Sequence, residues 1–531
     1  MRDPGRLHPG ASALSWTILF VACGGGAPDG GTIPPPGDPT LPDPQYRASY
    51  LSPLAAGCDG APAGGVYANA EVEPMVAVDP TDASRLIGVW QQDRWPNGGA
   101  RGNLTGVSAD GGRTWAQRMA PFSRCTGGDY ARVSDPWVTI SPNGMAYQIA
   151  IAFDGGAFAA GSSSAVLVSR SADRGDTWSP AVTLIRDGAD FFDDKESITA
   201  DSTDARYVYA VWDRLSASGG GPTWLSRTTD GGATWEPARP IYDPGTTSQT
   251  INNQIVVLPD GTLVAFFTQL DGAPSRQTLA VIRSRDKGLT WSGPVVISAV
   301  QALGTQDPET GTRIRDAALL GSIAAGPDGS LVAVWQDSRF SGGQRDGIAL
   351  SRSTDGGLTW STAARVNRDP TVQAFVPSVA VRADGTMGVT YYDLRSNTSH
   401  PATLPTDYWL ARSTDGGATW RESRVAGPFD LAIAPFAGGL FLGDYQALVG
   451  IGNAFLPFYA AANSGDLGNR TDVFASLATS AGFAARTAVS ELVDAEAPVV
   501  ASTAEPLPMT PELQRKLHES ARRAMERRVA R

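Results

Sequence analysis

The sequence predicts an all-β protein, and three observations lead to this prediction. An octet ending in Thr-Trp occurs six times, short β-rich segments precede each copy, and the segments keep the same order in every interval. The octet reads SADGGRTW at 108–115, and its tryptophan is followed by counterparts at Trp178, Trp235, Trp291, Trp360 and Trp420. Self-similarity at a nearly constant period of about 60 residues indicates a repeat architecture.

Each repeat contains the segments of one small antiparallel sheet. In the sixth repeat, VPSVAV (376–381) is the first strand, RADGT is a hairpin turn, MGVTYYDLR holds the second strand, and YWLARS leads into the octet. Apolar or alternating segments of this length, bounded by turn residues, are typical of strands. With a fourth strand after each octet, the repeat is a four-stranded blade of a β-propeller.

The number of blades follows from the two ends of the repeat region. After the sixth octet, FLGDYQALVGIGNAFLPFYAAAN and TDVFASLA supply three further strands without an octet. The segment YRASYLSP or GGVYANAEV, ahead of the first repeat, can supply the missing outer strand. We therefore predict seven blades, with six as the alternative.

The octet itself is interpreted as a structural turn. Asp110 can accept hydrogen bonds from nearby backbone N–H groups, and the hydroxyls of Ser108 and Thr114 can add further bonds. Gly112 suits a positive φ, which side chains resist. Trp115 is then available to pack between neighbouring sheets, so the octet joins the third and fourth strands of each blade.

The charge and the length of the chain limit its function. The chain has 531 residues, a formal net charge of −11 and a sequence pI of about 4.9. Nucleic-acid binding needs concentrated Lys and Arg on one face, so this balance argues against a nucleic-acid partner. The three histidines, His8, His400 and His518, offer neither a Ser-His-Asp triad nor transition-metal spacing. No cofactor is expected, with Ca²⁺ in an oxygen-rich turn as the alternative.

The two ends of the chain are predicted to lie outside the propeller. Residues 1–23 look like an export signal, with Arg2 and Arg6 before a short apolar stretch. FVACGGG resembles a bacterial lipobox with Cys23 as the acylated residue, and the alternatives are cleavage to a free protein or a cytosolic start. Residues 24–45 are a Gly/Pro-rich linker, 46–480 the propeller, 481–509 a second linker and 510–531 a basic helix. We expect an exported protein, attached to the cell envelope through its lipid or secreted.

Two cysteines remain in the predicted propeller. In an oxidising compartment Cys58 and Cys125 can pair as a disulfide. Two buried thiols are the alternative, because a sequence does not give the distance between them.

The repeated Ser-x-Asp-x-Gly-x-Thr-Trp resembles the Asp boxes (BNR repeats) of a propeller family that includes the bacterial exo-α-sialidases. The resemblance covers about residues 70 to 480. It implies a glycan-directed protein, in its specific form a glycoside hydrolase that releases a terminal acidic sugar. Asp boxes also occur in propellers without this activity, so a non-catalytic propeller that binds carbohydrate or protein is the alternative.

Topology places the candidate site on the face opposite the octets, where inner strands begin and second strands end. The resemblance implies Asp93 as acid/base, Tyr445 as nucleophile and Glu196 as the glutamate that activates it. It also implies an arginine clamp for the substrate carboxylate, formed by Arg94 and Arg214 with Arg315 or Arg339 as the third member. Asp135, Asp444 and Arg395 are further candidate binding residues on this face. The recurring Asp and Arg at these ends have a purely structural alternative, a set of ion pairs between blades.

The sequence departs from the sialidase pattern at three places. Glu73 in VEPMVAV stands near the position where the family has an arginine, and a carboxylate there would repel that of the substrate. Ala460 stands where a supporting glutamate is expected. The stretch most similar to the family's glutamate-to-arginine segment has Asn252 and Thr268 at those points, so the site either moved to Glu196 and Arg214 or is not a sialidase site.

Overall fold

A computed structural model describes residues 44–62, 64–272 and 275–479. The predicted export signal with Cys23, nearly all of the linker at 24–45, and the predicted segments 481–509 and 510–531 lie outside the described residues. None of the helices in the described ranges has the length and apolar character that a membrane crossing requires.

The described chain is all-β, as predicted. Its helical content consists of three single 3-10 turns, at Arg124–Thr126, Arg339–Ser341 and Leu431–Ile433. Four separate antiparallel sheets each contain four strands that are consecutive in the sequence. These are β10 (Phe191–Ala200), β11 (Val208–Ser216), β12 (Thr223–Thr228) and β13 (Arg239–Tyr242); β14 (Ser248–Val257), β15 (Leu263–Gly272), β16 (Ser275–Ser284) and β17 (Val295–Ala299); β18 (Ser322–Ala325), β19 (Leu331–Asp337), β20 (Gly347–Ser353) and β21 (Ala364–Arg365); and β22 (Ala374–Val381), β23 (Met387–Asp393), β24 (Pro405–Ser413) and β25 (Arg421–Asp430).

The remaining strands form one 13-stranded sheet that divides into three groups. Single-residue pairings, Ala70 with Thr471 and Ala100 with Val133, join the groups. The groups are β2 (Tyr67–Asp79), β3 (Asp82–Arg94), β4 (Ala100–Ser108) and β5 (Ala116–Met119); β6 (Arg132–Ile140), β7 (Ala146–Asp154), β8 (Ser163–Ser171) and β9 (Val182–Asp187); and β26 (Ala447–Ile451), β27 (Ala454–Ala462) and β28 (Thr471–Ser476) with β1 (Gln45–Arg47) and β29 (Ala478–Thr479). The strand β1, from the start of the described chain, pairs with β28 as an outer strand.

The first strands of successive groups contact one another in cyclic order. β2 contacts β6, and the series continues through β10, β14, β18, β22 and β26, which contacts β2 again. Four-stranded antiparallel sheets in this order are the arrangement expected of a β-propeller. The count of seven blades, with six as the alternative, stays a prediction because no continuous hydrogen-bonded ladder closes the set.

The apolar core lies between neighbouring sheets. Trp212 of β11 packs in one cluster with Ile149 and Ile151 of β7, and Trp90 of β3 packs with Phe458 of β27. Each sheet is therefore buried on both faces by its neighbours, and only its two ends and its outer strand reach solvent.

The octets form the turns that the sequence predicts. Asp110 Oδ1 accepts hydrogen bonds from the backbone N–H of Thr114 and from the hydroxyl of Ser108, both at 2.9 Å, and Gly112 has a φ of 88°. Trp115 is buried, and its ring lies 5.2 Å from that of Phe458. The other five octets repeat the serine or threonine to aspartate bond of 108–115.

Cys58 and Cys125 form a disulfide, with their Cα atoms 5.1 Å apart. The first of the two alternatives from the sequence is therefore the one that the structure contains. The bond connects the segment between β1 and β2 to the loop that follows β5.

Candidate functional site

Five of the inner strands each contain a β-bulge, which interrupts the alternation of side chains between the two faces of the sheet. The register of the inner strand shifts at this point in β2, β6, β10, β14 and β22. The first residue of each bulge has a positive φ although it is not glycine: Glu73, Asp135, Lys195, Asn252 and Val376, with φ between 48° and 65°. An extra residue in one strand re-aims its side chain, and non-glycine residues in this region store strain. Five of the seven described inner strands therefore carry a strained residue at a β-bulge.

Lys195 stands at the centre of the charged residues that the bulges bring together. Its Nζ donates to Asp444 Oδ2 at 2.7 Å and lies 3.2 Å from Asp135 Oδ2 and 3.6 Å from Glu73 Oε1. The side chains are almost completely buried, with Glu73 and Asp135 at 0 % exposure. We call Glu73, Asp135, Lys195, Glu196, Arg315, Asp444 and Tyr445 the Lys195 cluster.

Arg315 extends the cluster toward Phe441. Its Nε donates to Asp444 Oδ1 at 2.8 Å, and a second guanidinium N–H donates to Asp444 Oδ2. The guanidinium of Arg315 lies 4.4 Å from the centre of the Phe441 ring, and that of Arg94 lies 5.0 Å from the same ring. Arg94 also donates to Gln91, whose amide donates to Glu73. Two of the predicted clamp arginines therefore reach this cluster, Arg315 directly and Arg94 through Gln91.

Tyr445 is the aromatic member of the cluster, and its hydroxyl is hydrogen-bonded within the protein. The hydroxyl donates to the backbone carbonyl of Pro136 at 3.1 Å, and its ring lies 5.4 Å from that of Trp137. Burial raises the pKa of Tyr445 well above its ordinary value, and the carboxylates of Glu73, Asp135, Glu196 and Asp444 raise it further. The phenol is therefore held in its neutral form in the free protein.

Glu196 is the carboxyl group of the cluster that favours the protonated state. Its Oε1 accepts a hydrogen bond from the backbone N–H of Ile151 at 2.6 Å, while Oε2 is buried and has no hydrogen-bond partner among the described residues. Burial raises the pKa of Glu196 well above its ordinary value, and the neighbouring charge of Asp135 adds to the shift. An uncharged carboxyl next to ion-paired carboxylates is an arrangement that can donate a proton.

Asp93 is not brought to this cluster, contrary to the expectation for an acid/base partner of Tyr445. Its Oδ2 accepts from Ser52 Oγ at 2.8 Å and from Arg101 at 3.1 Å, and its Oδ1 accepts from the backbone N–H of Asn69 at 2.8 Å. Asn69 and Asp93 both have positive φ where the register of β2 and β3 shifts. This second irregularity turns the carboxylate toward the segment near the disulfide.

Arg214 also lies apart from Glu196, so the predicted pairing of these two residues is not formed. Arg214 is the register partner of Asp193, and the bulge after Asp194 separates this level of the sheet from Glu196. Its guanidinium binds both oxygens of Asp187, at 2.7 and 2.6 Å, and stacks 3.7 Å from the ring centre of Phe191.

Arg339 and Arg395 are held within their own blades. Arg339 binds both oxygens of Asp337 at 2.8 Å. Arg395 binds Asp393 at 2.6 Å and Glu422 at 2.9 Å, and it stacks on the ring of Trp409 at 3.7 Å. Arg214, Arg339 and Arg395 therefore form structural ion pairs, as the alternative interpretation of the sequence expected. That interpretation placed the pairs between blades, but only the pair of Arg214 with Asp187 joins neighbouring sheets.

From the sequence, Glu73 is recognised only as a departure from the sialidase pattern. No role is predicted there for Lys195, Phe441 or Trp137. A signal for the bulges was present in Glu73-Pro74, Asp135-Pro136 and Val376-Pro377. Proline cannot donate to a ladder and is confined to edges, strand starts and bulges, so a proline in an inner strand predicts a bulge.

Comparison with known proteins gives structural neighbours and no family. No family model matches the chain, and no curated protein matches its sequence. A Hadza microbial sialidase has 16 % identity and a TM-score of 0.43 over 75 % of this chain and 74 % of its own. A Dyadobacter fermentans protein of unknown function has 14 % identity and a TM-score of 0.43 over 77 % and 94 %. The α-L-arabinofuranosidase of Fusarium graminearum, solved with an iminosugar inhibitor, has 13 % identity and a TM-score of 0.42 over 67 % and 93 %.

Proposed function

We propose that this protein is a glycan-directed β-propeller, with seven blades as predicted, and that the Lys195 cluster is its catalytic centre for glycoside hydrolysis. The observation that carries the proposal is the contrast between two carboxyl groups. Glu196 is buried with Oε2 unpartnered among the described residues, which raises its pKa and favours the protonated form, whereas Asp135 is ion-paired with Lys195 at 3.2 Å. Most glycosidases use one protonated and one ionised carboxyl at the bond that breaks.

The roles within the cluster follow from these environments. Glu196 would donate the proton to the departing glycosidic oxygen as the glycosidic C–O bond breaks, and an ionised partner among Asp135, Glu73 and Asp444 would stabilise positive charge on the sugar. Water would then add to the anomeric carbon and return a proton to Glu196. Lys195 lies within ion-pair distance of these three carboxylates and holds them in place. Tyr445, with Trp137 beside it, would pack against the sugar ring, because aromatic rings supply a rigid apolar surface with a polar tip.

The release of a terminal acidic sugar is the more specific form of this proposal. It requires arginines that are available to bind the carboxylate of the sugar. Arg214, Arg315, Arg339 and Arg395 each have a carboxylate partner within the chain. An incoming carboxylate would have to displace those partners, so the cluster is better suited to a neutral sugar ring. The proposed export and lipid attachment at Cys23 are independent of this point.

A non-catalytic glycan- or protein-binding propeller is the second candidate, favoured by the burial of the cluster. Lys195 and Asp444 are each 6 % exposed, and Glu196 is 2 % exposed. A buried and internally paired set of charges can also serve the fold alone.

The deciding experiment measures hydrolysis of a panel of chromogenic glycosides by the full chain. The panel contains neutral pyranosides, neutral furanosides, uronides and sialosides. We expect turnover of one neutral class and a loss of about 100-fold or more in kcat for Glu196→Gln, since a positioned general acid contributes about 10²–10⁴-fold. Lys287→Met, an ion-pair variant in an octet, should retain full turnover.

Two results would overturn the hydrolase proposal. One is the absence of turnover on the whole panel by a chain that melts cooperatively. The other is turnover that Glu196→Gln leaves unchanged. The first result, combined with retention of the chain on a glycan array, would establish the binding propeller instead, whereas the second would place the hydrolytic site outside the Lys195 cluster.

A further inference from the structure

A cavity of about 530 Å³ lies between the sheets β18–β21 and β22–β25, and the described residues that line it include no member of the Lys195 cluster. Its walls come from the loop at 303–308 ahead of β18, the turn between β19 and β20 at 344–345, the segment 371–373 before β22, and Leu394 after β23. These are starts of inner strands and ends of second strands, so the cavity lies on the predicted ligand face. Its size is in the range of pockets that bind small ligands.

Arg345 in the wall of this cavity differs from the arginines discussed above. It is half-buried, and its only side-chain hydrogen bond in the described structure runs to the backbone carbonyl of Pro370 at 3.4 Å. No carboxylate of the described residues lies within ion-pair distance of it. Because the guanidinium of Arg345 makes only one long hydrogen bond to a carbonyl among the residues that the structure describes, it has further N–H groups available for a ligand. Two parallel N–H groups of a guanidinium match the two oxygens of a carboxylate.

The backbone that carries Arg345 is fixed on both sides. Ser341 Oγ donates to the carbonyl of Arg345 at 2.6 Å and accepts from its N–H at 2.9 Å. The next residue, Asp346, is buried and accepts from the N–H groups of Leu303 and Gly304, at 2.9 and 2.8 Å. The turn at 344–345 is thus hydrogen-bonded to the loop at 303–308 through Asp346. A ligand would therefore bind to a site that is already formed.

The remaining lining is suited to a sugar. Gln373 Nε2 donates to the carbonyl of Gln306 at 2.8 Å, and Gln373 Oε1 accepts from the N–H of Gln306 at 3.1 Å, so these two walls are joined as well. Gln344 and Thr371 add an exposed amide and hydroxyl, which can bond sugar hydroxyls. Leu303 and Val372 supply apolar surface for the C–H face of a ring.

We propose that this cavity binds a carboxylate-bearing sugar residue of a glycan, such as a uronic acid, with Arg345 as the partner of the carboxylate. The inference rests on the glycan-directed part of the proposed function and does not require hydrolysis at the Lys195 cluster. It assigns recognition of the acidic group to a place outside the predicted arginine clamp. A glycan with an acidic residue in this cavity could then present a neutral residue to the cluster.

The test titrates the full chain with tri-galacturonic acid, its methyl ester and sodium sulfate, by calorimetry at low ionic strength. We expect the acid to bind at least about tenfold more tightly than the ester, because the ester cannot form the charge-assisted hydrogen bonds that a carboxylate forms with Arg345. Arg345→Gln should bring the affinity for the acid down to that for the ester. Arg206→Gln removes the same charge at an exposed site and should leave both affinities unchanged.

Val372→Trp tests the cavity without changing its charge. The larger ring should fill the space and reduce binding of both oligosaccharides about tenfold or more. The proposal is overturned if the acid does not bind, if Arg345→Gln binds it as tightly as the unmodified chain, or if sulfate competes as well as the acid does. These outcomes are independent of hydrolysis, so a failure here is distinguishable from a failure of the proposed catalytic centre.

Discussion

At the scale of single residues, Lys195 is the side chain on which the charged cluster depends. It lies within ion-pair distance of Glu73, Asp135 and Asp444, which come from three different parts of the chain. Buried ions are stable only when they are paired and hydrogen-bonded. Loss of this one ammonium would leave three carboxylates with Arg315 as the nearest cation of the cluster.

Lys195→Met is therefore expected to lower the free energy of unfolding by about 3–5 kcal/mol, the typical cost of breaking a buried ion pair from one side. The loss should be larger at pH 8 than at pH 5, because low pH lets the abandoned carboxylates take up protons. Denaturant unfolding followed by tryptophan fluorescence at the two pH values measures both effects.

Lys287→Met provides the matched control. Lys287 binds Asp201 at 2.7 Å, and its side chain is 27 % exposed; Asp201 is buried but keeps hydrogen bonds from Tyr209 and Thr203 when the ammonium is removed. Partly solvated pairs contribute about 1 kcal/mol or less. Equal losses for the two variants would contradict a special role of Lys195.

Glu196 gives a second prediction at this scale, from the sign of its pKa shift. Its pKa is raised in the folded state, above the value of about 4.3 for an unfolded chain. The folded chain then holds a proton that the unfolded chain releases, so this residue lowers stability as the pH rises above about 4.3 toward the folded pKa. Glu196→Gln keeps the shape without this loss.

We expect Glu196→Gln to melt at a higher temperature than the unmodified chain at pH 8 and to show a smaller difference at pH 4.5. Differential scanning calorimetry across this range measures the change. Glu309→Gln, at an exposed position, should show no such trend. If the melting temperature of Glu196→Gln falls relative to that of the unmodified chain as the pH rises, the folded state lowers the pKa of Glu196 and this prediction is wrong.

At the scale of elements, strands and octets follow from the sequence, whereas only three of the five bulges have a signal there, a proline directly after the first bulge residue. Period-two apolar segments and the repeated Asp and Gly of the octet are local signals, and they predict the order of strands in each sheet. The bulges depend on the pairing of β2, β6, β10, β14 and β22 with their neighbours, which is tertiary information. The same bulges decide which side chains meet: they bring Glu73 and Asp135 to Lys195, and the bulge after Asp194 separates Arg214 from Glu196. Asp93 is turned elsewhere by the second irregularity in β2 and β3.

The disulfide connects two segments of the chain that lie far apart in the sequence. It closes a loop with a sequence separation of 67 residues between the segment after β1 and the loop after β5. Replacing both cysteines by alanine should lower the free energy of unfolding by about 2–4 kcal/mol, mainly by freeing the unfolded chain. Denaturant titration of the variant against the oxidised chain measures this loss, and an unchanged midpoint would contradict the bond.

At the scale of the whole molecule, the last group of strands packs against the first. Trp115 and Trp90 of the first group share a core with Leu456, Phe458 and Val473 of the last. The strand β1, from the N-terminal end, adds to β28 and overlaps this seam. Closure of this kind removes exposed sheet faces, and it brings the segments at 73 and 444, far apart in sequence, to Lys195.

Two adjacent glycines in the first octet allow this closure to be tested. Gly111 and Gly112 both have positive φ, 75° and 88°. A Cβ on Gly111 would meet only Arg113, at 3.6 Å, whereas a Cβ on Gly112 would lie 2.8 Å from Leu456 Cδ1 of β27. Gly111→Ala should cost about 1–2 kcal/mol for its backbone conformation alone.

Gly112→Ala should cost this amount and about 1–3 kcal/mol more, because overpacking a filled contact forces neighbouring groups to move. Combining it with Leu456→Ala should recover the additional part, since the clashing methyl group is removed, and the same combination with Gly111→Ala should be additive. Denaturant unfolding of the three single variants and the two double variants gives the two coupling energies. Equal additivity in both pairs would show that the first octet and β27 do not touch in solution, and the ring that places Glu73, Lys195 and Asp444 together would then be open.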